Sequence, residues 1–115
     1  MTDRELLELA ATAAEIGVFW GPLNIDCYDH NKLYLKQDKV MYTAREWNPL
    51  ENDGDALRLA VKLGIDVMHT NIHSPQVHAM ADHEVACIED SATDPYAATR
   101  RAIVRAAAEI GRSME

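Results

Sequence analysis

The sequence predicts an α+β chain: a small layered αβα sandwich, with an antiparallel meander of three strands or slightly more and helices at about 3–16, 53–63 and 95–111. Three observations predict it. Apolar residues recur at helical spacing in three segments that carry their own start and stop signals. Between the second and third segments the period changes to that of short strands separated by turn residues. The 115 residues, 48% of them apolar, supply one core and not two, so 1–115 reads as a single domain.

The first helix is predicted from Asp3 to Ile16. Thr2 and Glu5 have the spacing of a capping box. Leu6, Leu9, Ala13 and Ile16 recur on one face, and Gly17 supplies the stop. Residues 18–50 mix aromatic and polar side chains without a clean period. They read as an irregular or hairpin insert, with Lys32–Leu35 and Lys39–Thr43 as possible arms around Lys36, Gln37 and Asp38.

The second helix follows the stretch WNPLENDGDALRLAVKLGI, Trp47 to Ile65. Asn52, Asp53 and Asp55 offer side-chain acceptors to the free N–H groups of its first turn. Leu57, Ala60, Val61 and Gly64 fall on one side, Leu59 and Leu63 widen the stripe, and Arg58 and Lys62 face water. Gly64 ends the helix in a left-handed conformation. Every part of the motif has a structural task, so it reads as a well-made helix start rather than a ligand loop.

Ile65–His73, Val77–Ala81 and Val85–Glu89 are the strand candidates, linked by Ser74-Pro75-Gln76 and Asp82-His83-Glu84. The third helix begins at Pro95, capped by Asp94. Tyr96, Ile103, Ala107 and Ile110 mark its buried side, and its many alanines permit close approach. Two helices fit one face of the meander, and the first is expected to cover the other.

Composition narrows the function classes. The net charge is −8, from 19 acids and 11 bases. Phosphate backbones are held by Lys and Arg, so general nucleic-acid binding is disfavoured, while a basic protein partner suits the balance. No apolar run approaches the ~20 residues of a membrane span. The opening MTDRELLELAA lacks the basic and apolar regions of a secretory signal. Cys27 and Cys87 form no C-x-x-C pair. Cys87, in an apolar run, reads as a plain buried thiol, and Cys27 stands near Asp26 and Asp29, which oppose a thiolate.

MTDRELLELAA, WNPLENDGDALRLAVKLGID and DPYAATRRAIVRAAAEIG together resemble the small proteins of tailed bacteriophages and prophages grouped as the phage ABA (αβα) sandwich domain. The resemblance covers about half of the chain, in order. Its most specific part is the Trp-Asn-Pro-Leu lead-in with Asp-Gly-Asp-Ala-Leu. It implies the sandwich fold, a phage origin and residence in the host bacterial cytoplasm. It brings no catalytic residues.

The chemistry-bearing residues fall into three groups. His69, His73, His78 and His83 lie within 15 positions. If Ile65–His73 is a strand, His69 and His73 share a face, and His78 can approach them. That is the basis of a metal- or histidine-dependent hydrolase, but no metal-site spacing accompanies them, and no metal or other cofactor is expected. A Cys87/His pair is opposed by the apolar setting of the thiol. The second group is aromatic: Phe19, Trp20, Tyr28, Tyr34, Tyr42 and Trp47, six of the seven aromatics, lie within 29 positions, among Lys32, Lys36, Lys39 and Arg45. They serve either as a stacking or partner surface or as the core of a hairpin. The third is Arg100, Arg101 and Arg105, which either grip a phosphate or stand on a wet helix face with Arg105 paired to Glu109.

The expected function is that of a non-enzymatic phage accessory protein that works by binding. Its concrete form is an anti-defence sponge for a nucleotide-derived host immune signal. Trp20, Tyr28, Tyr34, Lys36, Tyr42, Arg45, Trp47, Arg100 and Arg101 are the expected ligand set. The alternative is a protein–protein inhibitor or adaptor of a host enzyme, and the third reading is the hydrolase. Open sheet edges in so small a domain predict a homo-oligomer, a dimer or larger.

Overall fold

Thr2 begins the first helix as its spacing suggests: its hydroxyl accepts a hydrogen bond from the Glu5 amide at 3.2 Å. In the computed structural model, which describes residues 1–23, 28–36, 44–71, 74–81 and 84–114, this helix is α1, Asp3–Ala14. It stops two residues before Ile16. Glu15, not Gly17, takes the left-handed conformation at φ 56°, and the amides of Glu15 and Ile16 turn back to the carbonyls of Thr12 and Ala11. The buried face is Leu6, Leu7, Ala10, Ala11, Ala13 and Ala14, with Leu9 and Ile16 at its margin.

Strand β1, Val18–Trp20, pairs antiparallel with β2, Leu33–Leu35, joining Phe19 to Tyr34. The other expected arm for Lys32–Leu35, Lys39–Thr43, lies outside the described residues. Tyr34 also bridges to Glu46, and the Trp47 amide donates to the Leu33 carbonyl at 2.8 Å.

Helix α2, Asp53–Leu63, has the bounds that the sequence suggests, with Asn52 accepting from the Asp55 amide and Gly64 left-handed at φ 66°. Its buried face differs. Asp55, Ala56, Leu59 and Ala60 turn inward, while Leu57 and Val61 are 64% and 75% exposed. The reason is visible in the spacing. Ala56, Leu59, Ala60 and Leu63 form a complete helical stripe by themselves, and Leu57 and Val61 are a second pair on the far side.

Asp55 is 1% exposed and anchors the lead-in. Its Oδ2 accepts the Asn48 amide at 3.0 Å, and its Oδ1 accepts from Arg58 at 2.7 Å and Arg45 at 3.2 Å. Burial alone would raise the carboxyl pKa. The Asn48 amide and the Arg58 and Arg45 guanidinium groups outweigh it and hold the carboxyl below its ordinary 3.8.

Strands β3 (Asp66–Thr70), β4 (Gln76–Ala81) and β5 (Glu84–Asp90) form the expected antiparallel meander, in the order β3-β4-β5. Register sorts the side chains. Val77 and Ala79 are fully buried, which puts their cross-strand partners His69, Glu89, Val67 and Cys87 on the helix side. Met68, His78 and Ile88 make the alternate row on the other face.

Helix α3, Pro95–Ser113, joins everything. Asp94 caps it through the amides of Tyr96 and Ala97, and its buried residues are mostly alanine. It packs on β4 and β5, and both α1 and α2 pack on it. The first helix, expected across the sheet, is thus layered on α3 instead. Gly111 explains the closeness: a Cβ there would lie 2.0 Å from the Leu9 carbonyl oxygen. Gly111 is a crossing point and not a helix stop, and α3 runs on to Ser113. Tyr96, expected inside, is 72% exposed. The α+β class stands, with three helices and two small antiparallel sheets, and no helix among the described residues is long and apolar enough to cross a membrane.

Candidate functional site

The lead-in to α2 folds back on the first half of the chain. Asn48 closes a turn: its carbonyl accepts the amides of Glu51 and Asn52, and its side chain accepts the Leu50 amide at 3.1 Å. The turn forms one wall of a cleft of about 490 Å³. Asp3, Arg4 and Leu7 of α1, Trp20 of β1, Asn31, the turn residues Asn48, Leu50 and Glu51, and Ala97 and Arg101 of α3 make the lining. The volume lies within the roughly 300–1,000 Å³ of small-ligand sites.

Two expected ligand residues, Trp20 and Arg101, therefore share one cleft. Trp20 is held edge-on: its Nε1 donates to Glu8 Oε1 at 2.9 Å. Its ring carries the Arg4 guanidinium at 3.7 Å from the ring centre, so its face already receives a planar cation. Arg101 holds Asp3 through two nitrogens, at 2.7 and 3.0 Å, and reaches Glu89 at 3.7 Å. Asp3 is largely exposed, so this ion pair is weak and exchangeable. Asn31 and Asn48 add amide groups at the wall.

The rest of the expected set lies elsewhere. Tyr28, Tyr34 and Trp47 are buried, at 7%, 8% and 3% exposure. Phe19 stacks on Tyr34 at 5.7 Å and meets Tyr28 edge-on at 5.5 Å, and the Tyr34 hydroxyl accepts the Asp29 amide at 2.9 Å. These rings are the inside of the ribbon rather than a stacking surface. Arg45 is committed to Asp55. Arg100 donates from Nε to the Leu50 carbonyl at 2.8 Å and from Nη1 to Asp53 at 2.7 Å, clamping the start of α2 to α3. Lys36 is exposed and shares only a neighbouring cleft with Trp20, beside Gly17. Tyr42 lies outside the described residues. Arg105 pairs with Glu89 at 2.6 Å rather than with Glu109, which meets Arg112 at 3.6 Å.

His69 and His78, the two described histidines of the sheet, do not converge. His69 stands on the helix side of the sheet and His78 on the other, because each pairs across a different row. His73 and His83 lie outside the described residues, and among the described residues no three potential metal ligands cluster. Cys87 is buried and its thiol donates to the Ala102 carbonyl at 2.9 Å. Burial pushes the thiol pKa above its ordinary 9.0, against a partial lowering by Arg105. That is the wrong direction for a nucleophile.

Arg4, Asn31 and Asn48 line the candidate cleft and were not singled out in the sequence. Nothing in their spacing links them, since three separate chain reversals bring them together. Comparison of the chain with protein-family models, with curated proteins and with solved structures finds no match.

Proposed function

We propose that this is a non-enzymatic binding protein whose cleft between Trp20 and Arg101 takes a small nucleotide-like anion. The observation that supports it is the placement of the Trp20 indole with Arg4 over its face, a second guanidinium from Arg101 and two side-chain amides around one small cleft. A base stacks on Trp20 in the place or company of Arg4. Arg101, a fork of donors, exchanges Asp3 for phosphate. Asn31 and Asn48 have the donors and acceptors to meet a base edge. In the phage setting that the resemblance implies, such a protein sequesters a nucleotide-derived immune signal in the host cytoplasm.

The test is thermal melting with cyclic dinucleotides and cyclic ADP-ribose isomers, followed by calorimetry. The expected result is a rise in Tm with at least one of them, lost in Trp20→Ala and reduced tenfold or more in affinity in Arg101→Ala. No shift with any of them well above micromolar concentration overturns the reading. A pull-down from host lysate that then retains one stoichiometric protein moves the assignment to an inhibitor or adaptor.

A further inference from the structure

A second region carries surface features that the Trp20 cleft does not explain. β3 is an outer strand, with β4 on one side. On its other side no backbone hydrogen bond from a described residue reaches Asp66–Thr70. Beside that edge lies a cleft of about 390 Å³, lined by Ala56 and Leu57 of α2, His69 of β3, and Pro95, Tyr96 and Ile103 of α3. Leu57, Val61 and Tyr96 are the most exposed large apolar residues of α2 and α3, and Met68 of β3 is 43% exposed. Leu57 and Tyr96 thus border the space beside the free strand edge, while Met68 stands exposed on the opposite face of the same strand.

The other outer strand is different. Beside β5, Arg105 reaches toward the Ile88 carbonyl at 3.5 Å and pairs with Glu89, and Arg101, Arg112 and Glu109 line the adjoining cleft. Charges from α3 guard that edge; at the β3 edge the strand's own charge is Asp66, and the Asp53 and Arg100 that line the cleft beside it are paired with each other at 2.7 Å.

We propose that the β3 edge is the interface with a second copy of this chain, two β3 strands pairing antiparallel about a twofold axis at Met68. The strand is self-complementary in that register. Met68 faces Met68 of the second copy, Val67 faces His69, and Asp66 faces Thr70, so no like charges oppose each other. The row Met68, His78, Ile88 on the outer face becomes continuous across the axis. On the helix face the two α2 helices flank the new strand pair, and Leu57 and Val61, one turn apart, gain a partner helix. A single operation covers the exposed apolar residues of α2 and β3 and joins two three-stranded sheets into one of six.

The register gives a specific test. Light scattering of the whole chain is expected to give twice its 12.9 kDa mass at about 100 μM. Met68→Lys and Met68→Glu, at a half-exposed site, are each expected to be folded by circular dichroism and monomeric. Their equimolar mixture is expected to recover the dimer, because only at the axis does residue 68 meet itself. Leu57→Glu is expected to weaken the dimer tenfold or more. A monomeric wild type, charge variants that stay dimeric, or a mixture that stays monomeric each overturns the proposal.

Discussion

The carboxylate of Asp55 accepts the backbone amide of Asn48, seven residues earlier, at 3.0 Å. This bond ties the Trp-Asn-Pro-Leu turn to the first turn of α2, and Arg45 and Arg58 complete the set. Asp55→Ala leaves the amide without its acceptor and is expected to lower stability by about 2–3 kcal/mol. The two arginines are half-exposed and return to water, which keeps the loss below that of a fully buried pair. Urea unfolding at neutral pH measures it, and a loss below about 0.5 kcal/mol contradicts the role.

The same carboxylate sets an acid limb. Its folded pKa is depressed, so its stabilisation is complete above the ordinary value of 3.8 and is lost as pH falls below that toward the folded value. The difference in urea midpoint between wild type and Asp55→Asn is expected to be constant from pH 5 to 7 and to shrink below pH 4. A gap that persists unchanged to pH 2 speaks against the linkage.

Two glycines separate two kinds of constraint. Gly64 needs a left-handed backbone but has open space around it, so Gly64→Ala is expected to cost about 1 kcal/mol. A Cβ at Gly111 meets the Leu9 backbone, which cannot move aside as a side chain tip can, so Gly111→Ala is expected to cost about 3 kcal/mol or to leave the chain unfolded. Equal Tm losses for the two variants would refute the close crossing of α1 and α3.

Cys87 is expected to resist alkylation in the native state at pH 8 and to react once urea is added, read on its own peptide by mass spectrometry. Its folded pKa is raised by burial, so its stabilising effect is present below 9.0 and is lost as pH rises from there toward the folded value. Native labelling at the rate of a free thiol would contradict the buried position.

Arg100→Ala removes both the Leu50 and Asp53 contacts from a side chain that is 18% exposed, and is expected to lower stability by about 1–2 kcal/mol. Arg101→Ala, whose partner Asp3 is exposed, is expected to change it by less than 1 kcal/mol. The reverse order would exchange the roles given to the two neighbours.

Local signals made much of this fold legible in the sequence. Thr2, Asn52 and Asp94 cap their helices as their types suggest, and the three strands fall where the period shortens. Faces were harder. Leu57, Val61 and Tyr96 are apolar at plausible spacings yet face outward, because side-chain type alone does not say which of two stripes meets a core. Of the candidate cleft, only Trp20 and Arg101 were legible. The buried rings of Tyr28, Tyr34 and Trp47 share their chemistry with surface stackers, and only the β1–β2 pairing decides between the two. Arg4 and Asn48 reach the cleft through long-range folding, which leaves no periodic trace.

α3 touches the sheet and both other helices, and it is the last element along the described chain. During synthesis the earlier segments therefore emerge without the surface they pack on. The strand pairings of both sheets form without α3, but the apolar sides of α1, α2 and the meander that rest on it stay uncovered until it follows, so a chain truncated before α3 is expected to expose them and to aggregate.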